Sequence, residues 1–291
     1  MQNELYRDHL MPILTADGFK NVCYREWGDK ENDNVVICVH GLSRNRFDFD
    51  TLGRALSYTH RVLAIDMPGR GDSDWLTNKE EYRYPAPADE AYPIFHNVLM
   101  GLITRTGVEA IDWIGTSMGG LLGIELAAKK NSPIRRLVLN DIGPFVSGES
   151  RAANAALASM ATEYDTEEAG INFVLETKKA FGPFSKNAAE KFARDSLVRG
   201  RDRKWRLHYD PEIIYGRKAV DTNLWHLWDR IKVPVFTLWG EESTLLSSVT
   251  VGKMRETGPK TKLLTIKGVG HCPGLTSKLE IDAIDEFLKT K

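Results

Sequence analysis

Apolar residues along this chain gather in short, nearly continuous runs separated by stretches of helical spacing. Val35–Val39, Arg61–Ile65, 111–114 and 137–140 are such runs. Each has the length and the unbroken apolar character of a strand covered on both faces. Further strands are expected over 19–27, 235–239 and Lys262–Ile266. Between them the pattern predicts helices over 47–56, 87–105 and 120–130, and a closing helix that includes 282–289. The alternation stops after Pro144. From 147 to 228 the chain carries helical stretches rich in Ala, Glu, Lys and Arg, with aromatic residues interleaved and no clear strand pattern.

Alternating strands and helices imply an α/β fold with a mostly parallel central sheet and helices on both faces. Residues 1–146 and 229–291 are expected to form this core. Residues 147–228 then form a helical cap inserted after the sixth strand. Such a cap would lie over the C-terminal ends of the strands, where open sheets bind ligands.

One short segment carries more chemistry than any other. Gly115-Thr116-Ser117-Met118-Gly119 joins the 111–114 strand to the following helix, which is the setting of a G-x-S-x-G nucleophile elbow. There a serine takes a strained turn, and its glycine neighbours avoid collision with the strand and helix alongside. A serine hydroxyl is a poor nucleophile at neutral pH, so it needs a base to take its proton. Gly268-Val269-Gly270-His271 follows the last strand, and His271 is the candidate base. The six other histidines lack such a setting, and no pair of them has metal-ligand spacing.

Four motifs in this order resemble those of the α/β-hydrolase superfamily, and the match spans nearly the whole chain. His40-Gly41-Leu42 looks like its H-G loop, and Asp66-Met67-Pro68-Gly69-Arg70-Gly71-Asp72-Ser73 looks like its D-x-P-G-x-G-x-S turn. The elbow and the histidine loop complete the set, and the branch it looks most like is that of capped bacterial esterases and thioesterases. The resemblance implies an oxyanion hole made of two backbone N–H groups, from Leu42 and Met118. His40 and Gly41 are then loop-shaping residues. It further implies a small-molecule ester or thioester substrate, an acyl-enzyme on Ser117, and neither a metal nor an organic cofactor. Carbon–carbon bond hydrolases of ring-cleavage dienoates share the Ser-Met-Gly-Gly run. Some non-catalytic ligand receptors also keep this fold.

The chain departs from the family at the third triad member. Relatives commonly place an aspartate after the seventh strand as G-x-x-D, whereas here that stretch is Gly240-Glu241-Glu242-Ser243. The expected acid is therefore Asp141, in Asn140-Asp141-Ile142-Gly143-Pro144 after the sixth strand, where some branches carry it. Glu241 and Glu242 stay open as alternatives, and Ser243 is expected to hydrogen-bond near His271 or Asp141.

Composition narrows the setting. A formal charge of −1 over 291 residues offers no electrostatic footprint for nucleic acid or an anionic membrane. Three cysteines without a C-x-x-C pair suit a reducing compartment. The first residues lack the apolar core of a signal peptide, so a cytoplasmic location is expected. Cys272 is expected to be a bystander. Arg44 is either solvated at a helix start or turned toward an anionic substrate group. The basic run Arg194, Arg199, Arg201, Arg203, Lys204 and Arg206 is expected on an exposed cap surface, balanced by Asp195 and Asp202. Phe181, Phe184, Trp205, Tyr209, Trp225 and Trp228 are expected either to line the pocket or to form the cap core. The sequence leaves oligomeric state open.

Overall fold

The computed structural model describes residues 6–84, 93–160 and 163–290. Eight strands form the main sheet: β1 (Arg7–Thr15), β2 (Gly18–Trp27), β3 (Val35–Val39), β4 (Arg61–Ile65), β5 (Ile111–Thr116), β6 (Ile134–Asn140), β12 (Val235–Gly240) and β13 (Lys262–Ile266). Their order is β1-β2-β4-β3-β5-β6-β12-β13. The first two strands pair antiparallel, β2 pairs antiparallel with β4, and the pairs from β4 across to β13 are parallel.

The apolar runs are explained by what covers them. In β3, Val35, Ile37 and Val39 pack into one core and Val36 and Cys38 into the other. β4 divides the same way, with Leu63 and Ile65 on one side and Val62 and Ala64 on the other. Helices α2 (Ile94–Thr106), α3 (Met118–Ala127) and α8 (Ser248–Glu256) contribute to the first core, and α1 (Asp50–Leu56) and α9 (Lys278–Leu288) to the second. Strands buried on both faces need no polar alternation. The opposite case is β1, which the apolar pattern does not predict. It is an edge strand whose Leu10 and Leu14 face outward and whose Pro12 sits opposite Asn21, and an edge tolerates proline because one side needs no ladder donor.

The other predicted elements fall close to their expected places. The expected 47–56 helix is split into a 3₁₀ turn, Arg46–Phe49, and α1. The expected start of the 87–105 helix lies outside the described residues, and α2 runs from Ile94 to Thr106. Helix α3 stops at Ala127, so Lys129 and Lys130 sit in the turn beyond it.

The segment between β6 and β12 holds α4 (Gly148–Ser159), α5 (Glu167–Thr177), α6 (Lys186–Asp195) and the four-residue α7 (Trp225–Trp228). The expectation of a strand-free insertion is corrected here. Short strands β7 (Phe145–Val146) and β11 (Thr222–Asn223) pair where the segment leaves and re-enters the core. Strands β8 (Glu163–Tyr164), β9 (Leu197–Arg199) and β10 (Trp205–Leu207) form a small sheet within it. Two- and three-residue strands are too short to show periodicity in a sequence. Among the described residues no helix is long and apolar enough to cross a membrane.

Loop placement at the C-terminal sheet edge depends on one buried ion pair. The fully buried Asp66 accepts hydrogen bonds from the Arg46 backbone at 2.6 Å and the Asp72 backbone at 2.9 Å, and pairs with the Arg46 guanidinium. Arg46 also reaches Asp72 at 2.7 Å and Asp8 at 3.3 Å. Leaving a buried charge without its partner costs about 3–5 kcal/mol. Asp66→Asn is therefore expected near the low end of that range, because Asp72 and Asp8 still face Arg46. Urea unfolding would measure it; a loss under about 0.5 kcal/mol, the size of an ordinary surface substitution, would show that the pair is dispensable.

Candidate active site

The site forms where β3, β5, β6, β12 and β13 end. Ser117 caps α3 with φ 51° and ψ −115°, a backbone conformation that costs energy for any residue with a side chain. Its surroundings leave no alternative route for the chain. A Cβ on Gly115 would lie 2.4 Å from the Gly119 backbone, and one on Gly119 would lie 2.1 Å from the Val39 carbonyl oxygen. Only glycine lets strand, turn and helix approach this closely. The Ser117 N–H donates to the Asn140 carbonyl at 3.1 Å, which fixes the turn against β6.

Asp141 follows β6 with φ 53° and is fully buried. Its N–H donates to Leu238 of β12 at 2.8 Å. One carboxylate oxygen accepts the Gly240 N–H at 2.9 Å. The other accepts the Ser243 hydroxyl at 2.6 Å and faces His271 Nδ1 at 2.6 Å. His271 Nε2 lies 3.0 Å from Ser117 Oγ. With a carboxylate on one side, the imidazole carries its proton on Nδ1 and presents a bare Nε2 to the serine. In this chain of contacts the hydroxyl has a base within proton-transfer reach, and the base has a carboxylate behind it. Glu241 and Glu242, the alternative acids, sit exposed in the loop after β12. There Glu241 accepts the Gly268 N–H at 3.3 Å.

The H-G loop lies against the serine: a Cβ on Gly41 would be 3.5 Å from Ser117 Cβ. His40 is fully buried. Its Nε2 accepts the Met67 N–H at 2.9 Å, so its Nδ1 bears the proton and donates to the Gly41 carbonyl at 2.6 Å. Burial pushes its pKa down to about 3, so it stays neutral and serves as a fixed strut. Arg70, also fully buried, donates to the Leu42 carbonyl at 2.9 Å and the Pro68 carbonyl at 2.7 Å. Both carbonyls of the Gly41-Leu42 pair are thereby held. The Leu42 N–H and the Met118 N–H at the start of α3 donate to no protein acceptor among the described residues, and both residues line the cavity above Ser117.

That cavity has a volume of about 320 Å³, within the range of small-molecule sites. Its walls come from the sheet-edge loops and from α4, α5 and the end of the inserted segment. Of the aromatic set, Phe181 reaches it and packs edge-on to His271 at 6.1 Å. Tyr209 and Trp228 are instead buried core residues, and Trp205 and Trp225 are half-buried beside them. Arg44 follows neither expected alternative outright. It is buried, paired with Asp48 and stacked 3.7 Å above the Phe192 ring, while still touching the cavity wall. In the basic run, Arg206 pairs with Asp202 and Glu163, and Arg194 pairs with Glu167. Burial and the nearby Asp141 charge raise the Cys272 thiol well above its ordinary pKa, which disfavours a thiolate.

Four cavity residues carry no sequence signal: Tyr84, Arg151, Lys178 and Arg217. Nothing distinguishes these three cations among the 39 lysines and arginines of the chain. Only the fold brings them to one cavity.

Comparison with known proteins agrees with this geometry. The chain matches the model of the alpha/beta hydrolase family over residues 36–283. It is 33% identical over 285 residues to a 3-hydroxybutyrate-oligomer hydrolase of Cupriavidus necator, covering 94% of each chain. A crystal structure of a Rickettsia typhi protein superposes with a TM-score of 0.88 at 28% identity, covering 98% of this chain and 99% of the other. An alpha/beta hydrolase from Novosphingobium aromaticivorans superposes with a TM-score of 0.83 at 29% identity, covering 98% of each. Elbow, sheet order and family match together lead to one assignment: the chain belongs to the alpha/beta hydrolase family.

Proposed function

We propose that this hydrolase is a serine esterase acting on carboxylic ester or thioester bonds of small molecules. The observation that carries the reading is the contact chain from Ser117 through His271 to Asp141, at 3.0 and 2.6 Å. In the first step Ser117 Oγ attacks the carbonyl carbon and His271 Nε2 takes its proton. The Leu42 and Met118 N–H groups receive the developing oxyanion; one such donor typically contributes about 3–4 kcal/mol. Collapse breaks the bond to the leaving oxygen or sulfur, which takes the proton back from His271. Water then attacks the acyl-enzyme, again giving its proton to His271, and Ser117 leaves with that proton. Asp141 holds the imidazole tautomer and stabilises its charged form. Ser243 positions Asp141, and His40 and Gly41 shape the oxyanion loop.

In this reading residues 1–146 and 229–291 carry the machinery, and 147–228 cap it and wall the cavity. Every proton transfer uses the chain's own groups, so no metal or organic cofactor enters. The name of the Cupriavidus necator relative favours a short oligoester of a hydroxy acid as the first substrate class to test. Three free, buried cysteines favour a cytoplasmic setting.

Steady-state hydrolysis of p-nitrophenyl butyrate tests the mechanism. Ser117→Ala is expected to lower kcat by about 10⁴-fold or more, as loss of the nucleophile does in other triads. Retained turnover by the folded variant would remove Ser117 from the mechanism.

Asp141→Asn tests the acid. Asparagine still accepts the Gly240 N–H, but its amide nitrogen would face His271 Nδ1 and enforce the wrong tautomer. A fall of about 10⁴-fold in kcat is expected, with Glu241→Gln unchanged within about twofold, the scale of a surface change. The reverse pattern would move the acid to the loop after β12.

A further inference from the structure

The cavity is lined by more positive charge than the chemistry at Ser117 uses. Tyr84, Arg151, Thr222 and Arg217 all line it, and Arg151 joins Tyr84 to Thr222. Arg151 is buried, and each acceptor it meets is neutral: the Val220 carbonyl at 3.2 Å, Thr222 Oγ1 at 2.8 Å and the Tyr84 carbonyl at 3.2 Å. Arg217 lies close enough for Arg151 to disfavour its charge, and burial with that repulsion pushes its pKa down to about 10. Its Nε is covered by protein and has no hydrogen-bond partner. Among the described residues its guanidinium makes no ion pair with any carboxylate.

Among the described residues, the nearby acids are otherwise engaged or exposed. Glu125 accepts the Tyr84 hydroxyl at 3.0 Å and meets His96 at 2.9 Å. Among the described residues, Glu242 is the one acidic residue lining the cavity, and it is exposed on the loop after β12. On another wall Lys178, pushed down to about 8 by burial, lies 3.5 Å from Ser43 and adds to the positive balance. Two guanidinium groups brought together in a half-dry cavity repel each other, and an anion between them reverses the sign of that energy. The planar fork of an arginine suits a carboxylate in particular.

We propose that Arg217, backed by Arg151, forms a carboxylate-binding subsite, which makes the preferred substrate an ester that carries its own free carboxylate. The acid end of such a molecule docks at Arg217 while its scissile carbonyl reaches Ser117. Short hydroxy-acid oligoesters with a free acid terminus and half-esters of dicarboxylic acids belong to this class. The substrate class rests on the esterase reading, whereas the subsite is a binding property that stands apart from turnover.

Calorimetry on Ser117→Ala protein separates the two. The probes are the linear dimer of 3-hydroxybutyrate as free acid and as its methyl ester. The acid is expected to bind at least about tenfold more tightly, the scale of one charge-assisted contact. Adding Arg217→Gln is expected to reduce that preference below about threefold, and Arg217→Lys to keep part of it. Equal or weaker binding of the acid, or a preference that survives Arg217→Gln, overturns the subsite. Wild-type protein that hydrolyses neither compound nor p-nitrophenyl butyrate while the acid preference persists overturns the esterase reading and leaves the subsite standing. Hydrolysis of both without a binding preference does the opposite.

Discussion

Everything at this site hangs on a carboxylate that, among the described residues, pairs with no lysine or arginine. Asp141 is fully buried, and its oxygens are satisfied by a backbone N–H, a hydroxyl and an imidazole. A buried charge held by hydrogen bonds rather than by an ion pair is stable only while every donor stays in place. Those donors come from three separate stretches: the end of β12, the loop beyond it and the loop after β13. The carboxylate therefore orders the loops whose donors satisfy it. Ser243 is itself fixed by the Leu245 and Leu246 N–H groups at 3.2 and 3.1 Å, so its hydroxyl hydrogen is left for Asp141.

The opposite wall is built on the same economy of charge. His40 is held neutral by burial, and Arg70 directs its Nε and Nη1 donors at carbonyls of the loops around it. Once the carbonyls of Gly41 and Leu42 are tied back, the peptide planes are fixed with the Leu42 N–H free of any protein acceptor. A donor fixed before substrate arrives costs no reorganisation when charge develops in front of it. Helix α3 adds the Met118 N–H at its start, where the unpaired donors of a helix lie.

Much of this was legible in the residues. The strands covered on both faces announce themselves as apolar runs, and the elbow glycines, the H-G loop and the histidine loop are local signals whose spacing follows from local geometry. Asp141 is the expected acid because Ser243 stands where an acid is usual, and it lies 2.6 Å from His271 Nδ1. What stayed hidden was whatever depends on long-range convergence or on very short elements. Edge strand β1 lacks a covered outer face and so lacks the pattern. The strands within 145–228 are too short to have one. Arg151 and Arg217 are 66 positions apart in a segment rich in basic residues, and no spacing rule relates residues that meet only through tertiary packing. Arg44 shows the same limit: its partner Asp48 is a helical neighbour, but its burial against Phe192 is set by α6.

The 2.6 Å contact between Ser243 and Asp141 also bears on how such sites change over evolutionary time. Two chain positions, one after β6 and one after β12, meet beside one imidazole: Asp141 contacts it and Ser243 contacts Asp141. Either is suited to hold the carboxylate while the other supplies a small polar neighbour. An acid moved from one position to the other would pass between neighbouring strands while the serine and the histidine kept their places. The route is not smooth. An intermediate with acids at both positions would set two negative charges side by side in a buried spot, and one with neither would leave the imidazole without an orienting partner.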